Sequence, residues 1–328
     1  MALTPQLSPL ARQLGIAARP VACRPQGWAI DDIHYYVDDR PLGIPAEVTP
    51  RWMMDRSDIE IADAADDLDR GVVLAAVDWV KLLIERVGTN APRVLYNGAT
   101  VALVDAQVTD DRLVLEVRPT CFLNSLLTNR SFSPLATRPG GYLQHAPVSG
   151  LANQLGINLT LLTADHHVIA ANRSAKLHDL PGRTWSAVGG VVDGGLLDED
   201  VPLLHRTAVD EIDLAVGLAV AEQSISFDGL VLDEDTLNLV AVGSVRLPYT
   251  AAHVLARVAP DARTEVSGRR AISIEKSALP TLMAELAAGS WEPVSALSLL
   301  IALGHVFEPA VLAAAAQKGI EAQPPKQA

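Results

Sequence analysis

This chain of 328 residues predicts an α+β fold in two parts, on three observations. Its length exceeds one ordinary domain and suits two. Hydrophobic residues make up 49% of it and charged residues 20%, which supplies a large core and excludes a mostly disordered chain. Short β-rich runs and helical spacings follow one another irregularly, which suits an α+β sandwich better than a doubly wound parallel sheet. Aromatic residues are only 4%, so Leu, Val, Ile and Ala must fill the core.

Residues 1–26 carry several prolines and no clear period, and a loose arm is expected there. Residues 55–70 are acidic (Asp55, Asp58, Glu60, Asp63, Asp66, Asp67, Asp69) and read as a solvated helix face. Val73, Val77, Val80, Ile84 and Val87 then fall at helical spacing. Residues 101–104 and 113–117 flank the turn pair Asp110 and Asp111 as a β-hairpin. Pro, Gly and Thr crowd residues 134–149, where the boundary is drawn. The expected division is an N-terminal α+β domain over 1–150, a second domain over 151–315 and a flexible tail over 316–328.

The second half changes rhythm. Strands are expected over 155–162, 168–172, 185–192, 224–232, 237–245 and 271–274. Helices are expected over 202–216, 279–288, 293–306 and 309–318.

Lys and Arg number 26 against 39 Asp and Glu, a formal charge of −13. Such a chain repels polyanions, and no basic cluster offsets this, so general nucleic-acid binding is not expected. Two cysteines, Cys23 and Cys121, make neither a disulfide framework nor a cysteine-rich metal site, and Cys121 reads as a packed, inert thiol. No apolar run reaches about 18 residues, and the N-terminus lacks the apolar core of a secretory signal. A cytoplasmic protein without a membrane span is the expectation.

The chain contains no phosphate-binding GxxxxGK[ST], no HExxH, no GxSxG and no GxGxxG after a strand. One constellation carries chemistry. Trp185 opens a run through Gly189-Gly190 to Gly194-Gly195, followed by Asp198, Glu199 and Asp200. Pro202 suits a first helical turn, with Asp200 as its expected N-cap. Leu204, Ala208 and Ile212 make a buried stripe, while Arg206–Asp210 and Thr207–Glu211 are neighbours at four-residue spacing. Thr207, Asp210 and Glu211 thus share one flank directly after a glycine-rich loop. Carboxylate oxygens beside such a loop suit Mg²⁺ carried by a substrate phosphate.

This stretch resembles the Nudix box: Gly, five residues, Glu, seven residues, then Arg-Glu-U-x-Glu-Glu-x-Gly-U, with U a bulky aliphatic. The resemblance spans residues 151–310, with Arg173 ending the first hairpin and Gly189-Gly190 standing at the family's glycine pair. Counted from Gly190, the first Glu position holds Leu196, and nine residues rather than seven precede Arg206. Thr207 stands at the next Glu, Asp210 at the third, Glu211 at the fourth, and Asp213 at the box Gly.

The resemblance implies an α/β/α sandwich in the second half. It also implies Mg²⁺- or Mn²⁺-dependent hydrolysis of a pyrophosphate bond in a nucleoside diphosphate linked to another moiety. Asp210 and Glu211 would hold the cation, Arg206 would orient a carboxylate, and Glu265 would be the base. Gly189, Gly190 and Arg173, or His167 in its place, would meet the phosphorylated substrate. Homodimers are common in this fold class. The altered box leaves a rival expectation open: a binding module for a small metabolite or protein, or a different reaction on the same scaffold.

Overall fold

The structure is a computed structural model describing residues 3–22, 32–37, 99–109, 112–121, 125, 152–174, 182–199, 201–234, 236–257 and 266–322. The acidic run at 55–70, the helix expected over 71–87, the boundary at 134–149, Asp200 and Glu265 all lie outside these residues.

In chain order the described elements begin with α1 (Leu3–Gln13), β1 (Ala18–Ala22), β2 (Asp32–Val37), β3 (Ala99–Thr109) and β4 (Arg112–Cys121). They continue through β5 (Leu155–Leu162), β6 (His167–Arg173), β7 (Thr184–Ser186) and β8 (Val188–Val191) to a 3₁₀ turn at Gly194–Asp198 and α2 (Leu203–Val216). Then come β9 (Ile225–Asp233), β10 (Leu239–Arg246), α3 (Ala251–Ala256) and β11 (Val266–Ser273). Three helices follow: α4 (Leu279–Ala287), α5 (Pro293–Gly304) and α6 (Pro309–Glu321).

A mixed sheet runs β1-β9-β10-β5-β6-β11, with β8 paired to β5 and β7 to β6. Only β10 and β5 run parallel within it. Its middle strand β5 is buried at every residue because both faces are covered. Leu155, Ile157, Leu159 and Leu161 enter one core with Leu204, Ala208, Ile212 and Val216 of α2. Leu162 enters a second core with α1, α4, α5 and α6 on the opposite face. The mixed sheet with helices on both faces agrees with the α+β class.

A smaller sheet, β2-β4-β3, shares the α2-side core through Val101, Leu103, Leu113, Leu115 and Val117. It is stitched to the larger sheet by Val101 N–H donating to Val192 O at 3.2 Å and Leu103 N–H donating to Asn153 O at 2.9 Å. β1 also enters the larger sheet, pairing antiparallel with β9 from Ala18↔Asp233 onward. First-half strands therefore contribute to both sheets.

The N-terminal arm is not loose. Residues 3–13 form α1, and Leu7, Leu10, Ala11 and Leu14 are each 5% exposed or less. Their spacing is a helical stripe, and its burial in the second core outweighs the helix-breaking tendency of Pro9. At the other end α6 runs to Glu321, so its last turns occupy the start of the expected tail, with Ala315, Ala316 and Gly319 buried.

Candidate functional site

The glycine pair lies in β8, hydrogen-bonded to β5 in the register Asn158↔Gly189 and Ile157↔Gly190. Successive residues of a strand face opposite ways. A methyl placed on Gly190 would lie 2.5 Å from Glu211 Cδ and 3.0 Å from its Cγ, so the carboxylate arm of α2 occupies the space that glycine leaves. A methyl on Gly189 would meet Ile157 O at 3.3 Å, with Asn158 Nδ2 and the Trp185 ring at 3.6 Å. Arg173, at the end of β6, holds its guanidinium 4.7 Å from the centre of that indole, a cation–π stack.

α2 is aimed by its inner stripe and by both its ends. Pro202 takes the N-cap position, one residue before its expected place in the first turn, and contributes no side-chain cap. At the other end Gly217, at φ 65°, closes the helix in the left-handed conformation. Arg269 Nη1 donates to Ala215 O at 3.0 Å and Arg257 Nη1 to Gly217 O at 2.9 Å, satisfying carbonyls that a helix end leaves open.

The expected flank of three side chains is divided. Thr207 is buried, and its hydroxyl donates to Leu203 O at 2.8 Å. That hydroxyl is spent on the helix backbone, because position 207 faces the core between Leu203 and Glu211. Asp210 is half-exposed, with Oδ2 3.2 Å from Arg206 Nε. Glu211 lies further inward, over Gly190. The structure thus joins Arg206 to Asp210, Glu211 to Gly190, and Arg173 through Trp185 to Gly189. Asp198 ends the 3₁₀ turn, and Glu199 follows it on the surface. Trp185 was read only as the start of the glycine-rich run, and neither it nor Asn158 was given a role at the site.

Among the described residues no three His, Cys, Asp or Glu side chains gather in one place. Of the carboxylates on α2, Asp210 is paired with Arg206 and Glu211 lies over Gly190. Carboxylate oxygens are the donor type that a Mg²⁺-type cation takes, commonly one or two together with substrate phosphate oxygens and water. These two do not make an all-protein cage. His205 on the same helix stands edge-on to Phe227, with ring centres 5.1 Å apart, and burial pulls its pKa below the ordinary histidine value. No helix among the described residues is long and apolar enough to cross a membrane.

No protein-family model matches the chain. No curated protein matches it either. Among solved structures it is similar to DR0079 from Deinococcus radiodurans, at 16% identity and TM-score 0.31, over 44% of this chain and 80% of that one. It is also similar to Tm1382, a candidate Nudix hydrolase, at 17% identity and TM-score 0.31, over 47% of this chain and 72% of that one. A MutT/nudix family protein from Enterococcus faecalis aligns at 13% identity and TM-score 0.28, over 44% and 54% respectively.

Proposed function

We propose that this chain is a Nudix-like protein that binds a small phosphorylated molecule where α2 meets β8. It hydrolyses a pyrophosphate bond of that molecule with the help of Mg²⁺ or Mn²⁺. The supporting observation is the seating of Glu211 on Gly190. It sets the one Glu retained at a box Glu position against the glycine pair. Asp210 and Glu211 are the carboxylates for the cation, and Arg206 holds Asp210 in one orientation. Arg173, stacked on Trp185, meets substrate anion. Glu265 takes the proton of the attacking water, a role resting on the resemblance alone. When bound, the cation neutralises phosphoryl charge and makes water a better nucleophile.

Thr207 favours a second reading, in which the ligand is bound but not hydrolysed. Its hydroxyl is turned to Leu203 O, at a position where the box carries a carboxylate. Calorimetric titration of Mn²⁺ into the protein and into Glu211→Gln tests the first reading. At least a tenfold loss of affinity in the variant, with turnover of nucleoside diphosphate derivatives by the parent, is the expected result. Undetectable Mn²⁺ binding together with tight, unhydrolysed binding of such a derivative would leave the second reading standing.

A further inference from the structure

We propose that Tyr35, from the first-half sheet, is the positioning residue for α2: its hydroxyl replaces the missing N-cap and sets the angle at which the helix presents Asp210 and Glu211. This rests on reading α2 as the helix that carries the site. Four N–H groups open at the start of every helix, and a Ser, Thr, Asp or Asn at the N-cap ordinarily accepts from one of them. Here the N-cap is Pro202, which has no such side chain, and the first turn carries no acid. Leu204 N–H instead donates to Tyr35 Oη at 3.1 Å, across 169 positions of sequence. Leu204 is the second residue of α2, whose N–H is one of those a local cap would take.

Tyr35 lies on β2, which is locked in parallel register with β4 from Asp32↔Arg112 to Val37↔Val117. β4 pairs in turn with β3, and β3 is bonded to the residues flanking β5 and β8. The phenol is thus mounted on the framework that also carries Gly190. An open pocket of about 350 Å³, lined by Ile33, Tyr35, Leu197, Val201 and Leu203 among others, lies where β2 meets the approach to α2. Burial raises the phenol's pKa well beyond its ordinary value, so it stays a neutral hydroxyl throughout the working range.

Amide hydrogen exchange followed by NMR tests this without requiring activity, metal or substrate. Tyr35→Phe keeps the ring and deletes only the hydroxyl. The Leu204 amide is expected to exchange about fivefold faster, the scale of one lost hydrogen bond. The Gly190 and Glu211 resonances are expected to shift, while amides within α5 keep their parent protection. Adding Pro202→Asp supplies a local cap and is expected to return Leu204 towards parent protection. Unchanged Leu204 exchange in Tyr35→Phe overturns the proposal. So does a uniform rise that includes α5, or a failure of the added cap to rescue.

Discussion

Replacing Gly190 by alanine tests the geometry at the centre of the site, because the added methyl and the Glu211 side chain claim the same space. The methyl would lie 2.5 Å from Glu211 Cδ and 3.0 Å from Cγ, where ordinary contacts begin nearer 3.4 Å. Either the carboxylate swings away or β8 shifts from α2. Overpacking of this kind costs about 1–3 kcal/mol. Alanine also gains about 0.5–1 kcal/mol over glycine by restricting the unfolded chain, since the backbone at 190 is not left-handed. The net effect expected for Gly190→Ala alone is a loss of roughly 0.5–2 kcal/mol. In Glu211→Ala the obstruction is gone, and the same substitution becomes neutral or stabilising by about 0.5 kcal/mol. A double-mutant cycle in urea should return a coupling energy of about 0.5–2.5 kcal/mol. Additivity to within about 0.5 kcal/mol would mean that Glu211 does not occupy the Gly190 face, and would remove the observation supporting the proposed function.

Two further outcomes follow from other parts of the molecule. His305 Nε2 lies 2.6 Å from Asp228 Oδ1 with both side chains largely buried, and that hydrogen bond raises the histidine pKa against the opposing effect of burial. A raised folded-state pKa contributes stability fully below the unfolded value, about 6.5, and loses it as pH rises through the folded value. The urea midpoint of the parent should therefore exceed that of His305→Gln most at pH 5.5 and least at pH 8; a gap that widens with pH would contradict the assignment. Gly319 lets α6 cross α4 closely, since a methyl there would meet Pro280 O at 2.5 Å and Ala284 N at 2.8 Å, both backbone atoms that cannot swing aside. Gly319→Ala should lose about 1–3 kcal/mol despite alanine's better helix propensity, and a raised denaturation midpoint would show that the helices do not meet there.

Much of the second half was legible from local pattern. The expected span 155–162 coincides with β5, and the expected helix at 202–216 differs from α2 by one residue. β11 was read short because its first residues, Val266 to Arg270, include Gly268, Arg269 and Arg270 and present no apolar run. The hairpin β3–β4 was read in place but too short, since its outer residues pair by backbone bonds that ask little of the side chains. At the site, four-residue spacing was enough to bring Arg206 beside Asp210. The same spacing suggested that Thr207 would stand with Glu211 on an open flank, whereas its hydroxyl is folded back onto the helix.

The main strands and helices of the second half, the buried stripe of α2 and the neighbours along it are properties of the sequence alone, because each depends on residues within a turn or two of one another. Tertiary structure decided the rest. α1 exists because its stripe finds the second core, and the pairing of β1 with β9 joins residues about two hundred positions apart. The inward turn of Glu211 depends on an absent side chain across the gap, at Gly190, and the start of α2 on a hydroxyl contributed by β2. Periodicity reports which face of an element is apolar; it holds no record of what that face, or its end, will meet once distant segments have packed.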